Sequence, residues 1–189
     1  LKRFSFWLTG TLWIFGSLAM SFLLPAPDAH GQDLHTYSVT LSGGIGGSFD
    51  AEPDTGLDND SFQLGLSMIT DPRSLLTARI GQVSLDGDEG FGNLLEADLT
   101  YLTLGGEYRI RKPYFDSGLY LALGGYQLEG TDIAGQDGDD TAIGVAMGTT
   151  ADFPINRYLS VMAELSGHFV DLDEAQFFGM LHLGLSFHF

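Results

Sequence analysis

The stretch Phe177 to Phe189 alternates without a break. Leu181, Leu183, Leu185, Phe187 and Phe189 are apolar, and His182, Gly184, Ser186 and His188 between them are small or polar. A period of two belongs to a strand whose two faces meet different surroundings. A strand with lipid on one side and a polar lumen on the other has this pattern. The same two-faced pattern recurs along the rest of the chain, and that repetition constrains the fold more than any other feature.

Seven further segments carry the pattern. Tyr37 to Phe49 sets Val39, Leu41 and Ile45 against Ser38, Thr40 and Ser42, and Phe62 to Thr70 sets Leu64, Leu66 and Met68 against Gln63, Gly65 and Ser67. Leu75 to Leu85 sets Leu76, Ala78 and Ile80 against Thr77, Arg79 and Gly81. In Leu95 to Arg111, Leu102, Leu104, Tyr108 and Ile110 oppose Thr103, Gly105, Glu107 and Arg109. Ala97 and Leu99 in that segment fall in the opposite phase, which predicts a bulge near Tyr101. Tyr114 to Leu128, Thr141 to Phe153 and Tyr158 to Phe169 repeat the alternation through Leu119–Leu123, Ile143–Met147 and Leu159–Leu165.

The connections are of two kinds. Those after the second, fourth and sixth segments are short, contain proline and carry basic residues, as in Asp71-Pro72-Arg73-Ser74, Arg111-Lys112-Pro113 and Pro154-Ile155-Asn156-Arg157. Those after the first, third and fifth are longer and acidic: Asp50, Glu52, Asp54, Asp58 and Asp60; Asp86, Asp88 and Glu89; Glu129, Asp132, Asp137, Asp139 and Asp140. The seventh is short and acidic, with Asp171, Asp173 and Glu174. In an up-and-down meander every second connection lies at the same end, so one end is tight and mildly basic and the other loose and acidic. Outer-membrane barrels divide their short periplasmic turns from longer outside loops in this way. An even strand number then places both termini in the periplasm.

Residues 1 to 31 read as a signal peptide. Lys2 and Arg3 precede an apolar run from Phe4 to Leu24, Pro25 and Pro27 interrupt it, and Ala29-His30-Gly31 offers small residues for cleavage before Gln32. The rival is a retained membrane helix; the prolines and the small-residue site favour removal. Residues 32 to 189 form the barrel domain, and after Leu24 no run is long and apolar enough for a membrane helix.

A soluble calyx is also an eight-stranded antiparallel barrel, with the faces reversed. The polar face here is crowded with glycine, serine, alanine and threonine, as a narrow lumen needs, and has few lysines or glutamates to solvate an exterior. The 26 glycines of the chain fit the narrow lumen. Tyr37, Phe49, Phe62, Tyr108, Phe153, Tyr158, Phe169 and Phe187 stand near strand ends, where an interfacial girdle belongs. The expected fold is all-β: an eight-stranded antiparallel up-and-down transmembrane barrel.

On the leader, the eight alternating segments and Phe189 preceded by Phe187 and Leu185, the chain resembles the small outer-membrane barrels, OmpX and the membrane domain of OmpA among them. The resemblance implies that the last strand, with Phe189, Phe187 and Leu185, is read by the barrel assembly machinery. It implies lipid and lipopolysaccharide as surroundings, a monomer, and a structural or cell-surface role in envelope integrity or surface interaction. A narrow porin-like channel and a lipid A or phospholipid-modifying enzyme are the alternatives.

Candidate functional residues lie on the polar face. Arg79, Glu107, Arg109, Glu164 and His182, with Asp98 and Asp116, suit a lumen charge network, because a lone buried ion is costly and charges there must pair. Glu164 and His182 fall opposite one another if the last hairpin centres near Asp173. With Ser166 they form a Ser-His-Glu set of the kind that activates a serine nucleophile. Packing inside the lumen is the competing reading, since an acyl substrate arrives from the membrane side.

The net charge of −17 excludes a phosphate-binding footprint for nucleic acid, and the absence of cysteine excludes disulfides and thiolate metal sites. Neither Asp86-Gly87-Asp88-Glu89-Gly90 nor Gln136-Asp137-Gly138-Asp139-Asp140 has calcium-loop spacing. Gly43-Gly44-Ile45-Gly46-Gly47 lies in a strand and lacks the helix of a dinucleotide site. No catalytic residue, metal or cofactor is expected.

Overall fold

The computed structural model describes residues 36–49, 57–85, 94–132, 137–172 and 176–189. The leader, its cleavage site, Asp50 to Asp54, Asp86 to Glu89, Asp173 and Glu174 lie outside the described residues. Eight strands follow one another: β1 (Tyr37–Ser48), β2 (Asn59–Asp71), β3 (Ser74–Ser84), β4 (Leu94–Arg111), β5 (Asp116–Asp132), β6 (Asp137–Asn156), β7 (Leu159–Val170) and β8 (Phe177–His188). Each pairs antiparallel with its neighbours in sequence, and β1 pairs with β8 to close the barrel. At the seam Val39 stands opposite Phe187 and Leu41 opposite Leu185, so the terminal strand has both edges paired. Closure leaves no edge unpaired along the wall that all eight strands share.

The two faces sort as the alternation requires. Leu102, Leu104, Leu119, Leu121, Leu123, Leu165, Leu183 and Phe187 all point outward and are half or more exposed. Large apolar side chains on the outside of a closed barrel, over most of its girth, have only lipid to bury them. The barrel is therefore a transmembrane one.

The lumen is narrow, and glycine makes it so. The Tyr101 ring lies over Gly81, and a Cβ on Gly148 would come within 2.7 Å of the Tyr120 ring. A Cβ on Gly144 would come within 2.9 Å of the Tyr126 ring. Each tyrosine crosses the interior only because the adjacent strand has no side chain there.

The bulge expected near Tyr101 is not formed. β4 pairs without interruption with β3 from Asp98 to Tyr108 and with β5 from Glu96 to Arg111; its one irregularity is between Leu94 and Glu96. The phase change has a different cause. Ala97, Leu99 and Tyr101 point inward like Thr103 and Glu107, and the interior itself turns apolar toward the loop end. Val83, Leu85, Leu99, Tyr101, Tyr126, Leu128, Val170, Leu172, Phe178 and Met180 are packed there in one cluster. On the outside of β3 to β6, Gln82, Ser84, Asp98, Thr100, Gln127 and Thr141 replace the lipid-facing residues. Along β3 to β5 the polarity of wall and lumen inverts together.

The connection expected between Glu129 and Asp140 is mostly strand. β5 and β6 stay paired up to Thr131 and Asp137, so Glu129, Asp139 and Asp140 stand on a ribbon and not in a loop. β6 meets β7 only from Gly144 onward. Among the described residues, the segment from Asp137 to Ile143 pairs with β5 alone, and the β4–β5–β6 ribbon rises above its neighbours.

Candidate functional site

Charged side chains converge in the half of the lumen nearer the short turns. Arg79 on β3 is 6% exposed and sits between two carboxylates. Its Nε donates to Glu164 Oε2 at 3.1 Å, and its Nη2 lies 3.3 Å from Glu107 Oε2. Its Nη1 donates to Thr77 Oγ1 at 2.8 Å, and its guanidinium stands 3.8 Å from the centre of the Tyr120 ring. The second carboxylate oxygen of each glutamate is also bonded: Glu164 Oε1 accepts the Tyr120 hydroxyl at 2.8 Å, and Glu107 Oε1 accepts Thr150 Oγ1 at 3.0 Å. Arg109 continues the chain toward the turn end, 3.3 Å from Glu107 Oε1 and 3.7 Å from Asp152 Oδ2. Strands β3, β4, β5, β6 and β7 each contribute a member, so the network ties opposite walls together. Guanidinium suits this position, because its planar fork holds several acceptors at once.

Of the residues singled out in the sequence, Arg79, Glu107, Arg109 and Glu164 meet in this one network. His182 does not join it. It stands opposite Glu164 in the register, but its Nε2 is 2.8 Å from Ser61 Oγ. Ser166 is bonded to His168 Nε2 at 3.1 Å, and His168 Nδ1 is 2.9 Å from the Tyr126 hydroxyl. The Ser166, His182 and Glu164 side chains therefore bond to other partners, and all three are buried. Asp98 is on the outer surface, where Ser84 Oγ donates to it at 2.8 Å. Asp116 lies at the turn end, opposite Arg111 and Asp152.

The tyrosines and Asp152 join the site without a charge pattern in the sequence to mark them. Tyr101, Tyr120 and Tyr126 occupy polar-face positions, yet their rings fill the space between the charged half and the apolar half. Tyr101 donates to Gln63 Oε1 at 2.8 Å and packs its ring 5.0 Å from that of His168. Asp152 shares the inward phase with Thr150 and was legible by counting two residues on.

Chemically, the interior is a plug in two layers. The lower layer is a hydrogen-bonded ion network whose members satisfy one another. The upper layer is the apolar cluster, in which Val83, Leu99, Phe178 and Met180 are 0% exposed. A polar path through the barrel would have to cross that cluster, so the described lumen is closed at its loop half. Among the described residues no group of histidines and carboxylates is arranged to hold a metal ion.

No family model matches the chain, and no curated protein matches it in sequence. Solved structures do match in shape. Neisserial surface protein A superposes with a TM-score of 0.68 at 11% identity, over 81% of this chain and 97% of that one. Ail, the attachment invasion locus protein of Yersinia pestis, gives 0.57 at 16% identity, over 82% and 99%. The N-terminal β-barrel domain of OprF from Pseudomonas aeruginosa gives 0.54 at 17%, over 84% and 100%. Together with the lipid-facing belt, these matches identify the fold of this chain as that of the small eight-stranded outer-membrane β-barrels.

Proposed function

We propose that the protein is an integral outer-membrane barrel that holds a surface platform outside the cell, with the loop end outward and both termini in the periplasm. The observation that carries this reading is the inversion of polarity along β3 to β6. Toward the loop end these strands acquire a polar exterior and an apolar interior, which is the construction of a water-exposed fold. The β4–β5–β6 ribbon stands on that base, above the point where β7 stops. A closed, ion-paired lumen supports a structural and surface role over a channel, and the separate partners of Ser166, His182 and Glu164 speak against that trio as a catalytic set. The names of two proteins similar in shape, a surface protein and an attachment invasion locus protein, agree with such a role. On this reading the belt contacts outer-membrane lipid and lipopolysaccharide, the protein is a monomer, and the barrel assembly machinery reads Phe189 with Phe187 and Leu185.

The chain has no cysteine, so one introduced thiol reports one place. With Asp139→Cys, intact cells should react with a membrane-impermeant maleimide. Arg157→Cys, in a short turn, should react only after permeabilisation. The reverse pattern would overturn the orientation. A variant with the ribbon shortened should stay folded but lose binding of whole cells to immobilised host matrix or serum proteins. Unchanged binding would leave envelope integrity as the role.

A further inference from the structure

The outward faces of β3, β4, β5 and β6 change character in the same order on every strand. Ile80, Leu102, Gly125 and Ile143 are successive cross-strand neighbours at the top of the apolar belt. Two residues nearer the loop end, Gln82, Thr100, Gln127 and Thr141 are again mutual neighbours, and all are polar without charge. Two residues further, Ser84, Asp98, Glu129 and Asp139 follow. Hydrocarbon, uncharged polar zone and water are thus written on one wall.

The apolar row has a gap. A Cβ on Gly125 would meet nothing within 4 Å. The depression over it has a volume of about 440 Å³. Ile80, Leu102 and Ile143 border it on the lipid side, and Thr100, Gln127 and Thr141 on the other. Ile143 is 83% exposed, unusually bare even for this belt.

We propose that this depression seats a glycolipid of the surrounding leaflet, one acyl chain against Ile80, Leu102 and Ile143 and uncharged sugar hydroxyls against Thr100, Gln127 and Thr141. The occupant has to be amphiphilic, because the seat straddles the change in polarity. A free sugar would leave Ile143 uncovered, and a bare acyl chain would leave the threonine hydroxyls facing hydrocarbon. The headgroup portion has to be neutral. No charged side chain borders the depression, and Asp98, Glu129 and Asp139 stand just above it, where they repel a phosphate. The missing side chain at Gly125 lets a flat sugar ring approach the backbone. Placing this seat in the outer leaflet rests on the proposed orientation; the seat itself does not.

The test uses the full chain in detergent micelles, which have no sidedness, so its outcome is independent of the cysteine labelling. Digalactosyl diacylglycerol and phosphatidylglycerol with the same acyl chains are added in turn, and retained lipid is read by native mass spectrometry. The glycolipid should be retained about tenfold more, as expected for one or two net hydrogen bonds. Gly125→Trp should reduce it to the phosphatidylglycerol level, whereas Gly106→Trp, elsewhere on the lipid face, should leave it unchanged. Thr100→Ala with Thr141→Ala should weaken the glycolipid alone. Equal retention of the two lipids, or retention unaltered by Gly125→Trp, would overturn the assignment.

Discussion

Arg79 and Glu164 join opposite walls of the barrel: the Arg79 Nε on β3 donates to Glu164 Oε2 on β7 at 3.1 Å, four strands apart by either route. Their value to the fold lies in what each would become without the other. Arg79→Met leaves Glu164 and Glu107 buried without their shared cation, and breaking such a pair costs about 3–5 kcal/mol. Glu164→Gln in the Arg79→Met background should restore part of that loss. Urea unfolding in lipid vesicles measures Arg79→Met, Glu164→Gln and the double variant, and additive losses would show that the two residues act independently.

The apolar upper layer predicts electrical silence. The wild-type protein in planar bilayers should show no discrete conductance steps. Leu99→Ser with Phe178→Ser hydrates the layer and should introduce brief openings. Steady conductance from the wild type would mean that the cluster of Val83, Leu99, Phe178 and Met180 does not close the lumen.

Glycines on the two faces should differ in tolerance. At Gly148 an added Cβ would lie 2.5 Å from the Leu165 carbonyl oxygen and 2.7 Å from the Tyr120 ring, whereas at Gly106 the nearest atom is 3.9 Å away. Overpacking of this kind costs about 1–3 kcal/mol. Gly148→Val should lower stability by that order, and Gly106→Val should leave it within about 0.5 kcal/mol, the usual range for surface changes. Equal losses in a refolding titration would show that the Tyr120 ring gives way freely.

Arginine scanning along the outside of β5 locates the edge of the bilayer. Leu121→Arg should cost about 2–4 kcal/mol if Leu121 lies near the midplane, and Gln127→Arg about 0–1 kcal/mol near the interface. Folding titrations into vesicles give both. A penalty at Gln127 matching that at Leu121 would place the polar row inside the hydrocarbon.

Removing Phe189 takes away two backbone hydrogen bonds with Tyr37, each 3.0 Å, and the ring stacking between the same residues. Each bond is worth about 1 kcal/mol net, so the deleted chain should still fold in vitro. In cells it should insert slowly if Phe189 is the residue that the assembly machinery reads. Normal insertion in cells, measured by the heat-shifted band on a gel, would remove that role.

Much of the lower barrel was legible because a period of two is a local property. Leu102 against Thr103, or Leu183 against His182, needs no knowledge of the rest of the chain, and β8 was assigned within one residue. The site was legible in part: Arg79, Glu107, Arg109 and Glu164 share a phase, so they had to face one another across a narrow tube. The partner of His182 was not legible. Ser61 reaches it only through closure of β1 and β2 against β8, and register across strands is set by the whole barrel.

The sequence by itself determined the strand count and the lipid-facing belt, since each follows from polarity read along one strand. Only the tertiary structure decided what the reversed phase of Ala97 and Leu99 means. Within one strand, a reversed pattern is equally a bulge or a change of solvent. The unbroken pairing of β4 with β3 and β5 makes it a change of solvent, because β3, β4 and β5 bring apolar residues into the interior cluster as their own outer faces turn polar. Above that level the wall of β3 to β5 has its apolar side chains inside and its polar ones outside.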